Sequence, residues 1–527
     1  MQRSANWQVC FASGRVFCRR WRTRGVPSGA KMAVTAEEFE RGLPLHFPRG
    51  IAREIDFPSA ARWATVEEIG SPNWRFGSAS GMMFLGYRGG QQVGRKDDRH
   101  QITIGGSRAG KGVSLIIPTL LTYEGSVLAI DPKGELARLS ASPRARRLGQ
   151  STVVLDPFGV SGVKSSNFNP LAEIEEHSPD LPGKKWPHAI DDAALIADAL
   201  IIPSGNDAHW SDTAKTLVQA LILLVLELAA CDRNLITVRA LLMLKDPAVI
   251  GHAARSGIDR EAALFDLMQT IFTTEFDGHI AAVGAQFAGM GDKERASVLS
   301  TARTQTAFLD SPALADTLRS SDFALSDLKC KATTVYLCLP ASNMGTHSKW
   351  LRTIITLALR TCERVEQKPP LPVLFVLDEF AVLGHMRAIE SAAGQMAGFG
   401  VKLWVILQDL SQLKHHYQGA WETFFGNTAL ATFHGVTDMT TLEYLSKRLG
   451  TRSFKMTRAT GAGQSAAAAG ASLSSEDVRS EPLLATHEIE LALARERGRM
   501  IVLFPGAHPM ILQRAEYYND PFFKERL

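Results

Sequence analysis

The sequence predicts an α/β fold, in which a mostly parallel β-sheet is covered by helices and an all-α domain is inserted between two strands. Short, continuously apolar and β-branched runs alternate with helix-length segments, as strands buried on both faces of a parallel sheet require. One long interval instead shows helical periodicity and few strand candidates. The length of 527 residues indicates two or three domains, because a single hydrophobic core rarely grows so large.

Eight segments of four to eight residues are predicted to be the core strands. In chain order they are Gln101–Ile104, Ser126–Asp131, Ser151–Asp156, Thr333–Pro340, Pro372–Asp378, Val401–Gln408, Thr428–His434 and Met500–Phe504. We assign these strands to one α/β domain formed by residues 57–178 and 329–527.

The inserted all-α domain is predicted to cover residues 179–328, which are rich in Ala and Leu. Apolar residues within 193–200 fall at helical spacings there. An insertion of this length is tolerable, because the entropic cost of closing a loop grows only slowly with its length.

Two further segments are predicted to lack regular structure. Residues 1–56 carry five arginines between positions 15 and 24 and no acidic residue before Glu37, and without the apolar core of a signal peptide we expect disorder. Residues 457–480 are rich in Gly, Ala and Ser, so we predict a flexible loop. It lies within the α/β domain, since a core strand follows it.

The overall composition is that of a soluble globular protein, with 45% hydrophobic residues, 21% charged residues and a net charge of +4. Mild basicity is compatible with a nucleic-acid partner but equally with a solvated surface. The six cysteines form no CxxC pair, which argues against a zinc site or a disulfide framework and fits a reducing cytoplasm. The longest apolar run, Leu217–Ala230, is short and interrupted by Gln219 and Glu227, so a buried helix is favoured over a membrane span.

A glycine-rich segment between a predicted strand and an apolar helix start predicts a phosphate-binding loop. Glycines let consecutive backbone N–H groups converge on one point, the following helix adds its positive end, and Lys111 supplies a charge for the β- and γ-phosphates. Gly112 stands where a Ser or Thr hydroxyl usually reaches Mg²⁺, and we do not assume that Ser114 replaces it. The predicted nucleotide-binding residues are Gly105, Gly106, Ser107, Arg108, Ala109, Gly110, Lys111, Gly112 and Val113.

Paired carboxylates end the predicted strand Pro372–Asp378 and provide the second half of an ATP site. A buried parallel strand delivers its last residues to the edge of the sheet where phosphate loops also open. Asp378 is the expected Mg²⁺ ligand, directly or through water. Glu379 is the expected general base that polarises the water attacking the γ-phosphate. Together with Lys111 these acids predict a P-loop ATPase of the RecA-like kind.

Three other strand ends carry polar residues. Gln408 is a candidate catalytic residue that senses the γ-phosphate or orients water, and the alternative is that it caps the next helix. Asp131 and Asp156 each precede proline, and from chemistry alone we favour ordinary strand-exit turns for both.

Beyond these residues, the order and spacing of many short motifs resemble the VirD4/TraG family of type IV secretion coupling proteins, relatives of the FtsK and HerA DNA pumps. The similarity runs from about Ser59 to Tyr518, and the family also commonly has Gly after its P-loop lysine. The similar segments are Ser59–Thr65, Gly110–Val113, Ile116–Leu121, Asp131–Glu135, Asp156–Pro157, Asn169–Leu171, Asp378–Phe380, Ile406–Gln408, Tyr444–Ser446 and Pro482–Leu484.

The resemblance implies an ATP- and Mg²⁺-dependent motor that assembles as a homohexamer and recruits substrates to type IV secretion channel components. The implied cargo is single-stranded DNA carrying a covalently attached relaxase, or effector proteins, with the all-α domain taking part in substrate recognition. Family members usually begin with two transmembrane helices, and this sequence has neither. We therefore expect a peripheral location, in the bacterial cytoplasm or at the cytoplasmic face of the inner membrane.

Two alternative functions remain open at this stage. The chain could be a soluble DNA-translocating ATPase outside any secretion channel, or a substrate receptor that binds nucleotide with little turnover. A ring also needs an arginine that reaches a neighbouring site, for which Arg352, Arg360 and Arg448 are the candidates.

Overall fold

The computed structural model describes residues 9–12, 15–18, 52–53, 61–177, 184–203, 208–270, 275–459 and 474–527. Its strands are β1 Val9–Ala12, β2 Arg15–Cys18, β3 Ala52–Arg53, β4 Met83–Arg88, β5 Gln91–Arg95, β6 His100–Gly105, β7 Val127–Asp131, β8 Ser151–Leu155, β9 Thr333–Cys338, β10 Val373–Leu377, β11 Val401–Leu407, β12 Thr428–His434, β13 Thr451–Ala459, β14 Ser474–Pro482, β15 Arg499–Leu503 and β16 Met510–Gln513.

Helices fill most of the chain between these strands. In chain order they are α1 Val66–Ile69, α2 Ile117–Thr122, α3 Glu135–Leu148, α4 Ala189–Leu200, α5 Ala208–Leu226, α6 Leu235–Leu242, α7 Pro247–Ser256, α8 Arg260–Thr270, α9 His279–Gly289, α10 Asp292–Gln305, α11 Pro312–Thr317, α12 Asp327–Cys330, α13 Ala341–Arg364, α14 Arg387–Gln395, α15 Leu410–Tyr417, α16 Trp421–Gly426, α17 Met439–Leu449, α18 Thr486–Leu493 and α19 Pro521–Lys524.

An eleven-stranded sheet organises the molecule, in the order β5-β4-β16-β15-β12-β6-β11-β10-β7-β9-β8. The strands from β12 to β8 run parallel, whereas β15, β16, β4 and β5 continue the sheet with antiparallel pairings. All eight predicted strands are present in this sheet. The predicted α/β fold with a mostly parallel sheet is therefore confirmed.

The parallel strands are buried because successive side chains enter two different hydrophobic cores. In β7, for example, Leu128 and Ile130 pack into one core, and Val127 and Ala129 pack into the other. This two-sided burial explains why the core strands are continuously apolar in the sequence instead of alternating.

Helices make up every regular element that the structure describes between β8 and β9. The longest of them, α5, has fully buried side chains from Leu217 to Leu226 except for Gln219, which is half-buried, and Leu224, which is 4% exposed. This apolar run is thus the centre of a helical core. Among the described helices, none has both the length and the apolar character that a bilayer crossing requires.

Two of our predictions of irregular structure need correction. Within the predicted loop 457–480, β13 extends to Ala459 and β14 starts at Ser474, and the two strands pair antiparallel over nine residues each. Within the segment 1–56, β1 pairs with β2, and β3 pairs with β13. Pairing between strands satisfies the backbone N–H and C=O groups of these segments, which composition alone does not reveal. The rest of both segments lies outside the described residues.

Candidate nucleotide site

Four neighbouring parallel strands bring the predicted site residues to one edge of the sheet. In the order β6-β11-β10-β7, the glycine-rich loop follows β6, Gln408 follows β11, Asp378 and Glu379 follow β10, and β7 ends at Asp131. Because parallel strands share their carboxyl edge, residues far apart in the sequence converge there.

The glycine-rich loop leaves β6 at Gly105 and enters a single π-helical turn, Gly112–Ile116, which continues into α2. Its backbone has positive φ angles of 58° at Arg108 and 90° at Gly110. The start of the loop lies against the end of β12: a Cβ on Gly105 would lie 2.8 Å from the carbonyl oxygen of His434, and one on Gly106 would lie 2.9 Å from that of Gly435. Glycine is therefore required sterically where the loop begins.

Lys111 extends back into this loop and donates hydrogen bonds from Nζ to the carbonyl oxygens of Gly105 and Gly106, the latter at 3.3 Å. Burial lowers the pKa of Lys111, whereas the nearby carboxylates of Asp378 and Glu379 favour its charged form. The structure thus brings Lys111 together with the paired acids.

Other side chains of the loop take different positions. Ser107 and Arg108 are exposed, Ala109 is buried, and Gly112 and Val113 are half-buried. The buried Ser114 donates its hydroxyl to the carbonyl oxygen of Gly110 at 2.7 Å. Its hydroxyl is therefore engaged within the helix start, which agrees with our decision not to treat it as a substitute metal ligand.

Asp378 and Glu379 lie at the turn that ends β10. Burial and the neighbouring Glu379 raise the pKa of Asp378 to about 6, although Lys111 acts in the opposite direction. Among the described residues, no group of three His, Cys, Asp or Glu side chains is arranged to hold a metal ion. Asp378 could therefore hold Mg²⁺ together with phosphate oxygens and water, which is the coordination that Mg²⁺ commonly adopts.

Glu379 has a left-handed backbone, with φ 53° and ψ 42°. This turn directs its carboxylate to the neighbouring strand end, where Gln408 donates Nε2–H to Glu379 Oε2 at 3.0 Å. The next helix, α15, is capped by Asp409, whose side chain accepts from the N–H of Gln412. The side chain of Gln408 thus contacts Glu379, the predicted base. Asp409 caps the next helix, a position that we had considered for Gln408.

The two Asp-Pro segments form strand-exit turns. Asp131 accepts hydrogen bonds from the N–H groups of Lys133 and Ala137, and Asp156 accepts from those of Val160 and Ser161. This geometry agrees with the turn interpretation. Sequence reasoning did not single out Lys133, an exposed residue near enough to act electrostatically on both Lys111 and Asp378. Lys133 closely follows β7, the strand beside β10, and this position was the signal that could have identified it.

Two more residues near the loop come from distant parts of the chain. Arg514, just after β16, donates to the carbonyl oxygens of Ala109 and of Arg495, the latter at 2.8 Å. The side chain of His434 is fully buried, and neither ring nitrogen has a hydrogen-bond partner among the described residues. Burial lowers the pKa of His434 well below its ordinary value, and Arg514 and Lys111 lower it further. No local motif could have placed either residue here.

The three arginines considered for contact with a neighbouring subunit differ in their surroundings. Arg352 is 4% exposed and donates to backbone carbonyl oxygens of its own chain. Arg360 pairs with Glu363 at 3.1 Å and approaches Asp192 at 3.7 Å. Arg448 is exposed on the last turn of α17. In this structure Arg352 and Arg360 are therefore engaged within the chain.

Solved structures of similar fold include the bacterial conjugative coupling protein TrwB lacking its first 70 residues, in its unbound form. Its TM-score is 0.58 at 14% sequence identity, with 89% of this chain and 96% of that shortened TrwB chain covered. TrwB in complex with ADP and Mg²⁺ gives the same values. This likeness confirms the RecA-like P-loop fold that we predicted.

Curated relatives include protein VirD4 of Agrobacterium fabrum, which is 29% identical over 494 residues covering 89% of this chain and 67% of VirD4. The type IV secretion system-coupling protein VirD4 of Bartonella quintana is 26% identical, with 80% of this chain and 63% of that protein covered. Conjugal transfer protein TraG of Escherichia coli is 27% identical, with 81% and 68% covered. This chain spans about two thirds of the length of these relatives.

Residues 64–527 match the sequence profile described as type IV secretory system conjugative DNA transfer. This match covers most of the chain, including the glycine-rich loop, the paired acids and the helices between β8 and β9. The chain therefore belongs to the type IV secretory system conjugative DNA transfer family.

Proposed function

We propose that this protein is an ATP-hydrolysing coupling protein that recruits DNA–relaxase or effector protein substrates and drives them into a type IV secretion or conjugative transfer system. The observation that carries the proposal is the convergence of Lys111, Asp378, Glu379 and Gln408 at one carboxyl edge of the sheet. TrwB, which shares the fold, is a coupling protein solved in complexes with an ATP analogue and with ADP and Mg²⁺.

In this proposal the loop Gly105–Val113 binds the phosphates of ATP through backbone N–H groups, and Lys111 neutralises the β- and γ-phosphates. Asp378 is the residue that would hold Mg²⁺, which neutralises phosphate charge when it is bound. A cation beside Asp378 also offsets the burial that disfavours its ionised form.

Glu379 is the proposed general base and takes a proton from the attacking water. Gln408 holds the Glu379 carboxylate through the hydrogen bond from Nε2 and orients it toward that water. Because Glu379 and Gln408 directly follow the adjacent strands β10 and β11, the fold keeps the base in place while the phosphates are bound.

We further propose that residues 57–178 and 329–527 form the nucleotide-binding domain and that residues 179–328 form an inserted domain that recognises substrate. The working assembly is a homohexamer at the cytoplasmic face of the inner membrane, where it meets type IV secretion channel components. In that ring, the exposed Arg448 is the remaining candidate among our three for a contact with a neighbouring nucleotide.

The test is an ATPase assay with and without single-stranded DNA, on the unaltered protein and on Lys111→Ala. We expect Mg²⁺-dependent turnover that single-stranded DNA stimulates, and a loss of at least about 100-fold in turnover for Lys111→Ala, with weakened binding of a fluorescent ATP analogue. Binding of nucleotide without turnover in the unaltered protein would instead favour a receptor. A Lys111→Ala variant with normal turnover would refute the site.

A further inference from the structure

Arg352 lies at the joint between the helical insertion and the nucleotide-binding core. It projects from α13, the helix that follows β9, and its side chain is buried. Its guanidinium donates Nε–H to the carbonyl oxygen of Ala199 at 3.1 Å, and donates from Nη1 to those of Leu383 and His385 at 2.6 and 2.8 Å. One side chain thus contacts two separate parts of the chain.

The two contacted parts are the end of an inserted helix and the segment after the paired acids. Ala199 lies in the last turn of α4, where carbonyl oxygens have no partner within the helix. Leu383 and His385 flank Gly384, only a few residues after Glu379 and before α14 begins. Hydrogen bonds from a charged donor such as a guanidinium are stronger than those between neutral groups. Bonds to buried carbonyl oxygens also matter because an acceptor left without a partner there is costly.

Packing at this joint leaves space. A cavity of about 720 Å³ opens beside Arg352, between α4 and α5 on one side and α13 and α14 on the other. Side chains leave this volume open, and beside it the hydrogen bonds of Arg352 connect α4 directly to the segment after Glu379.

We propose that Arg352 is a positioning residue that couples α4 of the helical insertion to the segment carrying Glu379, so that substrate engaged by the insertion changes the rate of ATP hydrolysis. This inference rests on the proposed function for the identity of the reaction. The physical link itself is the set of three hydrogen bonds from one guanidinium to Ala199, Leu383 and His385.

The same helix offers a matched control. Arg364, twelve residues later on α13, donates to both carboxylate oxygens of Asp192 in the first turn of α4, at 2.7 and 3.0 Å. It joins the same two helices as Arg352 but, among the residues that the structure describes, donates no hydrogen bond to the segment after Glu379. A variant at Arg364 therefore loosens the contact between α13 and α4 without removing the proposed link.

The experiment compares Arg352→Met, Arg352→Lys and Arg364→Met in the full-length protein. We expect Arg352→Met to lower kcat about tenfold or more with KM for ATP changed less than about threefold, and to abolish stimulation by single-stranded DNA. Arg352→Lys should restore little, because an ammonium group lacks the planar fork that spans these carbonyl oxygens. Arg364→Met should keep both kcat and the stimulation, even where its Tm falls as far as that of Arg352→Met.

Hydrogen–deuterium exchange provides a readout that does not depend on turnover. Amides in the segment 380–387 should exchange faster in Arg352→Met than in Arg364→Met, because that segment loses two of its hydrogen bonds only in the first variant. Equal exchange in the two variants, or equal losses of kcat, would overturn the proposal. If the unaltered protein hydrolyses no ATP, the proposed function fails, and the exchange comparison still decides whether Arg352 holds this segment.

Discussion

At the scale of single residues, the backbone of Glu379 determines how the site is built. A left-handed conformation is costly for a residue with a side chain, on the order of 1–3 kcal/mol, and persists where the surroundings stabilise it. Here the turn ends β10 and directs the carboxylate toward Gln408, which follows the adjacent strand β11. Asp378, one residue earlier, is half-buried like Glu379, and burial and the neighbouring Glu379 raise its pKa to about 6. The turn therefore gives two neighbouring carboxylates different partners, which suits different chemical roles.

The first prediction concerns the general base. Replacing Glu379 by Gln keeps its size and a hydrogen-bond acceptor but removes the proton-accepting charge, so we expect ATP binding to stay within about threefold while kcat falls about 100- to 10,000-fold. Single-turnover hydrolysis and equilibrium nucleotide binding would measure both. Glu490→Gln, which alters an exposed carboxylate of α18, should leave kcat unchanged. Normal turnover by Glu379→Gln would show that another group is the base.

The candidate site residues that depend on local context could be predicted from the sequence. The glycine-rich loop and the paired acids could be predicted, because each follows an apolar strand and parallel strands share an edge. Arg514 and His434 could not be predicted, since their positions beside Ala109 and Gly105 depend on where β16 and β12 lie in the sheet. The hydrogen bond between Gln408 and Glu379 likewise required the order of the strands.

At the scale of secondary structure elements, the start of the helix after β6 shows how steric demands differ within one loop. A Cβ on Gly110, which has a φ of 90°, would lie 2.7 Å from Nη1 of Arg514. A Cβ on Gly112, only two residues later, would meet nothing within 4 Å of it. Backbone conformation and the contact with Arg514 therefore require glycine at position 110, whereas no steric contact requires it at position 112.

The second prediction uses this pair. Gly110→Ala should lower Tm and weaken nucleotide binding at least about tenfold, because alanine is strained at this φ and displaces Arg514 from the loop. Gly112→Ala should leave Tm within about 1 °C of the unaltered protein, since the added methyl group meets open space. Thermal unfolding with and without ATP measures both effects. Equal destabilisation by the two substitutions would contradict this account of the loop.

The third prediction concerns pH and the element that leads into the insertion. Glu173, in the 3₁₀ turn Pro170–Glu173, accepts the N–H of Leu325 at 2.9 Å. Burial, together with the nearby Asp327 and Glu175, raises the pKa of Glu173 to about 7, although the hydrogen bonds from Leu325 and Thr361 act in the opposite direction. The folded protein therefore holds a proton that the unfolded chain has lost between about pH 4.5 and 7, so this group reduces the free energy of unfolding as pH rises through that window.

Replacing Glu173 by Gln removes this titration. We expect the variant to be more stable than the unaltered protein at pH 8, by on the order of 1–3 kcal/mol, and the difference to vanish below about pH 4.5. Urea unfolding at several pH values would measure it. The exposed Glu490 provides a control, because Glu490→Gln should show no such pH dependence. A stability difference that does not change with pH would argue against the raised pKa.

Sequence patterns predicted the parallel strands better than the antiparallel ones. Strands buried on both faces are continuously apolar and were found from sequence. The edge strand β5 and its neighbour β4 contain glycine, glutamine and arginine, and β16 is only four residues long, so none of the three is recognisable from sequence. The hairpin of β13 and β14 was obscured in the same way by a neighbouring segment rich in glycine and alanine.

At the scale of the whole molecule, charge and assembly together bear on the proposed binding to DNA. A net charge of +4 is modest, so binding to DNA depends on how basic residues are grouped when copies assemble. An ATPase that acts on DNA within a ring should show both oligomerisation and electrostatic binding.

The fourth prediction joins these properties. We expect the affinity for single-stranded DNA to fall steeply between about 50 and 200 mM salt, because binding releases counterions from the phosphate backbone. Mass photometry with ATP and DNA should reveal hexamers. Lys111→Ala should retain the salt dependence, since it alters the nucleotide site alone. Absence of DNA binding even at low salt would favour protein substrates.

The contact between Arg514 and the loop at Ala109 joins two parts of the chain that are made at very different times during translation. A ribosome synthesises about 400 further residues after the loop before it reaches this arginine, and the intervening strands must also find their places beside β6. The loop therefore cannot make this contact until every parallel strand of the sheet has been synthesised. A phosphate-binding loop supported in this way reaches its folded form late, although its own residues are among the first of the sheet to leave the ribosome.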